Sequence, residues 1–297
     1  MLDRLFVLAQ YALPQILISR LAGKLADSQP PTGILTAVIR WFIGRYGVNM
    51  SEAADENPAS YPTFNAFFTR ELKPGLRPLA GGSETVISPV DGTISQVGQV
   101  GDDRVFQAKG QSFSLTELLG GDPDRAKPFQ GGEFATLYLA PHDYHRIHMP
   151  LTGKLQEMAY VPGRLFSVNP VTAEAVPELF ARNERVVTLF DTDAGPMAMV
   201  LVGAMIVGSV ETRWGGVVAP GGARRAVTTS DYRHQSPGIR YERGDEMGRF
   251  RLGSTVILVF PKGATRWQES LQPGEKVRLG QAFGKVTTAP PETPEPR

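Results

Sequence analysis

The chain contains no cysteine. Disulfides, thiolate catalysis and cysteine zinc sites are therefore excluded, and demanding chemistry must come from Ser, His, Asp, Glu, Lys, Tyr or a cofactor. Neither sign of charge is in excess: 31 Lys and Arg stand against 30 Asp and Glu. No overall field for nucleic acid follows, and none is expected as a partner. No apolar run approaches the ~18 residues of a membrane span. Asp3 and interrupting polar residues break the pattern of a secretory signal. Histidine is scarce, with four in 297 residues, and no HExxH or similar metal signature accompanies them.

Turn chemistry is abundant. With 32 Gly and 24 Pro, many short strands are expected. ETVISPVDGTISQVG reads as strand, turn, strand around Pro89-Val90-Asp91-Gly92. Further strands are expected in ATLYLAP (135–141), VVTLF (186–190), MAMVLVGAMIVGSVE (197–211), STVILVF (254–260) and QAFGKVT (281–287). Residues 216–245 contain Gly and Arg without periodicity and read as a long loop or mobile hairpin. Residues 288–297, rich in Pro and Glu, cannot bury a core and are expected to be a disordered tail. The expected fold class is α+β, mainly β. Barrel-sandwich-like antiparallel sheets would form a catalytic domain over 61–287, behind a helical region over 1–60.

In that N-terminal region Leu2, Leu5, Phe6, Ala9 and Leu13 follow helical spacing, and Pro14 kinks or restarts the helix. GILTAVIRWFIGRYGV forms a second such stretch. Over residues 1–50 the basic side chains are Arg4, Arg20, Lys24, Arg40 and Arg45, against Asp3 and Asp27. Two readings stay open: amphipathic helices lying in a bilayer surface, or helices packed on the domain's own core.

Three of the four histidines, His142, His145 and His148, fall within PHDYHRIHMP. Flanking prolines favour a turn-like element, on which His145 and His148 would share a face; on a strand they would face opposite ways. One reading is a metal site with a carboxylate from elsewhere. Another is acid–base chemistry, with Asp91 orienting His148 and His148 taking the proton of Ser254. Asp91-Gly92 is equally a turn dipeptide, and Gly253-Ser254-Thr255 before VILVF equally a loop ahead of a buried strand.

ISPVDGTI, YHRIHMPLTG, VPGRLFSVNPVTA, LFARNERVV, VGAMIVGSVE and GDEMGRFRLGSTVILVF, in this order, resemble the phosphatidylserine decarboxylase family, bacterial membrane-associated type. YPTFNAFFTRELKPGLRP upstream is similar to that family too. The resemblance implies a pyruvoyl-dependent, self-cleaving carboxy-lyase that uses no metal. Ser254 would attack the Gly253 carbonyl, giving an ester by N-to-O acyl shift. Elimination then leaves dehydroalanine at 254, and hydrolysis releases ammonia and leaves a pyruvoyl cap. The products are chains 1–253 and 254–297. Asp91, His148 and Ser254 would form the triad for this step, and His145 would bind substrate or handle the proton in turnover. The pyruvoyl group would form a Schiff base with phosphatidylserine and yield phosphatidylethanolamine and CO2. Phe166, Ser167 and Thr255 are expected to contact substrate, and Arg224 and Arg225 are candidates for its phosphate. The partners implied are an anionic membrane surface, the chain's own second piece and a second two-chain unit in a homodimer, at the cytoplasmic face of the cell membrane. Rival readings are a pyruvoyl decarboxylase for a soluble amino acid, a zinc hydrolase using His145 and His148, and a lipoyl-like carrier.

Overall fold

The computed structural model describes residues 2–205, 209–219, 225–251 and 254–287, without the side chains of residues 2–4 and 254. Pro14 lacks an amide hydrogen and disfavours helix before it. It therefore ends α1 (Leu2–Ala12), and α2 (Gln15–Asp27) leaves at 89°. After Pro31, α3 (Thr32–Tyr46) runs to Gly47, whose φ of 69° closes it. The two expected stretches thus make three helices. A short fourth, α4 (Phe64–Phe68), starts where the Thr63 hydroxyl accepts from Ala66 N.

Helices α1 and α2 are apolar outward, and α3 is apolar on two faces, with Leu35 and Ile39 buried and Ile34 and Trp41 exposed. Leu8, Leu17, Leu21, Leu25, Ile34 and Trp41 are each more than half exposed, whereas Gln10, Gln15 and Ser19 are buried. A core-packed amphipathic helix shows the reverse arrangement. The buried amides bind the loop beneath: Gln15 Oε1 accepts from Leu165 N at 3.0 Å and Gln10 Oε1 from Ser167 N at 2.8 Å. Among the described residues no single helix is long and apolar enough to cross a membrane.

The remainder is mainly β. In chain order the strands are β1 (Thr85–Ile87), β2 (Gly92–Gln99), β3 (Arg104–Ala108), β4 (Gln111–Ser114), β5 (Glu133–Leu139), β6 (Arg146–His148), β7 (Gly153–Val161), β8 (Arg185–Thr192) and β9 (Gly195–Val202). There follow β10 (Ser209–Thr212), β11 (Gly216–Ala219), β12 (Thr228–Asp231), β13 (Arg240–Tyr241), β14 (Glu246–Arg251), β15 (Ser254–Phe260), β16 (Thr265–Trp267), β17 (Lys276–Val277) and β18 (Ala282–Val286). The largest sheet runs β12-β7-β8-β9-β15-β5-β2-β17, with β13 also on β7. A second runs β11-β10-β14-β6, a third β1-β18-β16, and β3 pairs β4. All these pairings are antiparallel, so the chain is mixed α+β with mostly antiparallel sheets.

Three expectations change in detail. The 85–99 segment is not a hairpin, because β1 pairs β18 while β2 pairs β5 and β17; the Asp91 turn joins two sheets. The apolar run 197–211 divides at Gly203 into β9 and β10, again in different sheets. Residues 216–245 hold three short strands, of which β12 and β13 add to the edge of β7. Main-chain bonding to an existing edge needs no side-chain periodicity, so the pattern does not reveal them. The tail at 288–297 lies outside the described residues.

Strand β15 is central and buried on both faces. Val256, Leu258 and Phe260 enter a core shared with Ile147, Met247 and Phe250 of the second sheet. Ile257 and Val259 enter another with Phe113, Phe129 and Phe166. Alternation between two apolar layers is why VILVF reads as continuous. A third cluster joins Ala26, Leu35, Ile39, Phe67 and Phe68.

Candidate active site

The end of β5 organises the site. Gly92 packs so close to it that a Cβ there would lie 2.6 Å from Tyr138 O. On the other side of β5, Ser254 is the register partner of Leu139, and Thr255 of Tyr138. The backbones at Gly92 and Ser254 are thus two strand spacings apart, about 10 Å. Asp91 precedes the first, and the bond expected to be cut precedes the second. Gly253 and the Ser254 side chain lie outside the described residues.

His145 sits at this strand end. Its ring is fully buried and stacks on Phe68 at 4.0 Å. Its Nε2 lies 3.1 Å from the carbonyl of Ala140, the residue after Leu139. A carbonyl only accepts, so Nε2 carries the proton and Nδ1 the lone pair. Among the described residues Nδ1 is buried without a hydrogen-bond partner. Burial, then the charge of Arg70, pushes the His145 pKa down to about 3, leaving a neutral imidazole at pH 7.

His148 ends β6 and is fixed through its backbone, with N donating to Pro89 O at 2.9 Å, two residues before Asp91. Its Nδ1 donates to Gly244 O at 2.8 Å, so Nε2 is unprotonated and accepts from Tyr144 Oη at 3.2 Å. Burial lowers the His148 pKa. The stretch turns at 141–143 and is a strand over Arg146–His148, so His145 and His148 meet different partners. The two-histidine arrangement of a zinc hydrolase is not formed, and among the described residues no group of three His, Asp or Glu could hold a metal ion.

Asp91 and His148 are neighbours without a mutual hydrogen bond. Asp91 Oδ1 accepts from Leu279 N at 2.8 Å, and both oxygens accept from Arg77, at 2.6 to 3.2 Å. Arg77 also donates to Glu52 at 2.5 Å. These hydrogen bonds hold its guanidinium more firmly protonated. Arg77 and Tyr144 separate two hollows. One, of about 190 Å³, is lined by Arg70, Asp91, His142 and Asp143; the other, of about 290 Å³, by Arg146, His148 and Gly244.

Four residues join the site that sequence reasoning did not single out: Arg70, Arg77, Asp143 and Tyr144. Arg70 is buried, donates to His142 O at 3.1 Å, and leaves Nε and Nη1 without hydrogen-bond partners among the described residues. Asp143 accepts from Ala140 N at 2.7 Å, and burial raises its pKa, with Asp91 adding to the effect. Two of the four stand in PHDYHRIHMP and two in FFTRELKPGLRP. The signal available was the density of ionisable residues in those stretches.

Of the expected substrate contacts, Thr255 is buried with Oγ1 unpartnered among the described residues. Phe166 is buried, 4.9 Å from the Tyr11 ring, and Ser167 hangs from Gln10. The segment therefore contacts the N-terminal helices. Arg225 is exposed, and Arg224 lies outside the described residues.

A family model described as phosphatidylserine decarboxylase matches residues 64–285, and one described as PSD matches residues 5–47. The chain is 67% identical over 286 residues to the phosphatidylserine decarboxylase proenzyme of Marinobacter nauticus, covering 96% of this chain and 99% of that one. It is 57% identical over 284 residues to the proenzyme of Hahella chejuensis, covering 96% and 94%. It is 56% identical over 298 residues to that of Stutzerimonas stutzeri, covering 99% of each. With the helices, the sheets and the Gly253-Ser254 strand all inside these matches, the chain belongs to the phosphatidylserine decarboxylase family.

Proposed function

We propose that this phosphatidylserine decarboxylase, which forms phosphatidylethanolamine and CO2, makes its pyruvoyl group with Asp91, His148 and Ser254 and works beside His145. The observation that carries this is the end of β5, where the Asp91 turn, Ser254 and His145 converge. The residues present fit the group. From Thr255 onward β15 is laddered to both β5 and β9, and His145 Nδ1 and Thr255 Oγ1 are buried polar atoms without partners among the described residues. When present, the pyruvoyl carbonyl supplies the electron sink for loss of CO2.

For self-cleavage, His148 Nε2 takes the Ser254 hydroxyl proton and Asp91 stabilises the resulting imidazolium. That alignment requires Tyr144 to leave Nε2 and Arg77 to yield part of Asp91. In turnover, His145 stays neutral, and its Nδ1 accepts a hydrogen bond from the substrate amine and orients it. Intact mass tests the maturation: the wild type gives chains ending at Gly253 and beginning at residue 254. Ser254→Ala stays one 32.3 kDa chain without decarboxylase activity. A cleaved, active Ser254→Ala protein would refute the assignment.

Residues 1–60 form the membrane-association region, on a catalytic domain over 61–287. The outward apolar face of α1 to α3 supports this, since each inserted side chain contributes ~0.8 kcal/mol per buried CH2. A lipid substrate fits a peripheral enzyme at an anionic membrane surface, and the reading extends to the cytoplasmic face and to a homodimer of two-chain units. The Leu21→Glu, Trp41→Glu double variant is expected to lose flotation with phosphatidylserine vesicles at least tenfold while still cleaving itself. Unchanged flotation would refute the membrane role.

A further inference from the structure

We propose that the cleft between α2 and the start of β10 binds the phosphodiester of the substrate, with Arg20 and Lys24 as its cationic ligands. The cleft is about 580 Å³, and its walls include Leu17, Arg20, Leu21, Gly23, Lys24 and Ser209. Arg20 and Lys24 are four apart and lie one above the other on α2. Leu17 and Leu21 are also four apart and make the adjoining apolar stripe, both more than half exposed. The floor at Ser209 is the register partner of Arg251, two residues before the Gly253–Ser254 bond.

One wall of the cleft is thus continuous with the apolar face, and its floor adjoins the strand that leads to the reacting residue. Phosphatidylserine has the same order of parts: acyl chains, anionic phosphodiester, then the amine that reacts. A substrate with its chains along Leu17 and Leu21 and its amine at residue 254 carries its phosphate through this cleft. Arginine and lysine are the side chains suited to a phosphate oxygen. The carboxylate on the wall, Asp27, is engaged by Asn65 at 2.8 Å and by Arg251 at 3.3 Å, so it is neutralised before the phosphate arrives. Such a cradle selects a phosphodiester headgroup over free serine. The inference rests on the reading that residue 254 carries the reacting carbonyl.

The test measures KM and kcat with phosphatidylserine in neutral detergent micelles, where no charged surface attracts the enzyme. The Arg20→Gln, Lys24→Gln double variant is expected to raise KM about tenfold or more, with kcat within about twofold of wild type. Gly23→Met is the second variant. A Cβ at Gly23 meets nothing within 4 Å, and methionine favours a helix over glycine, so the fold is kept while the cleft is filled. It is expected to raise KM similarly with both cations in place. An unchanged KM in either variant overturns the proposal. So does a double variant that loses binding only to anionic vesicles, which would make the pair a surface attractant. Loss of self-cleavage in place of a KM change would also overturn it, by moving these residues into maturation. Failure of the residue 254 reading is separate, and shows as a wild-type chain that stays in one piece.

Discussion

Two histidines three residues apart have different surroundings, which suits them to the different work proposed for them. His145 is enclosed by Phe68, Ala140 and the Arg70 charge, and its pKa falls to about 3. His148, held by Gly244 and Tyr144, keeps a basic Nε2. The depressed His145 pKa has a consequence for stability. Above pH 6.5 the imidazole is neutral in both folded and unfolded chains. Between 6.5 and 3 the unfolded chain binds a proton that the folded one refuses, so stability falls as pH falls, by up to about 1.4 kcal/mol per pH unit. His148 shifts in the same direction. Denaturant unfolding of Ser254→Ala protein between pH 4 and 7 should therefore be less pH-dependent, by up to one proton, when His145→Phe is added. An identical slope in the two proteins would show that His145 titrates normally.

At the scale of elements, the strand end does what no single residue can. The Asp91 turn is held against β5 only because residue 92 has no side chain, its Cβ position being 2.6 Å from Tyr138 O. Gly92→Ala must push β2 from β5 and carry Asp91 with it. Self-cleavage is expected to slow at least tenfold, with about 1–3 kcal/mol lost in stability. Time-resolved gel analysis of the newly made chain reads the first, and a normal half-time would contradict the close approach. The strands 85–99, 186–190 and 254–260 were legible because turn residues bracket β-branched and aromatic runs. Strands β12 and β13 were not, since edge addition to β7 depends on an acceptor strand far away in sequence. The site was half legible. Asp91, His145, His148 and Ser254 carry motif signals, whereas Arg70 and Arg77 take their place only when the polypeptide folds back on the β5 end.

At the scale of the whole molecule, the proposed cut falls at the edge of a buried central strand. Residues 256–260 are buried on both faces, each contributing about 1.5–3 kcal/mol, and β15 is bonded to β5 and β9. Chains 1–253 and 254–297 are therefore expected to co-purify under native conditions and to part only in denaturant. Separation on a native sizing column would contradict this. The sequence by itself supplied the candidates for the chemistry, a Gly-Ser bond ahead of an apolar strand and a dense histidine segment, and excluded cysteine, because bond type and side-chain reactivity are local properties. Its periodicity also marked the N-terminal helices as amphipathic, but periodicity is blind to which side faces inward. Only the tertiary structure decided that α1 and α2 bury Gln10 and Gln15 and turn Leu8, Leu17, Leu21 and Leu25 outward. It also decided that Asp91 rests on Arg77, not on His148, because such choices depend on what the rest of the chain brings into contact.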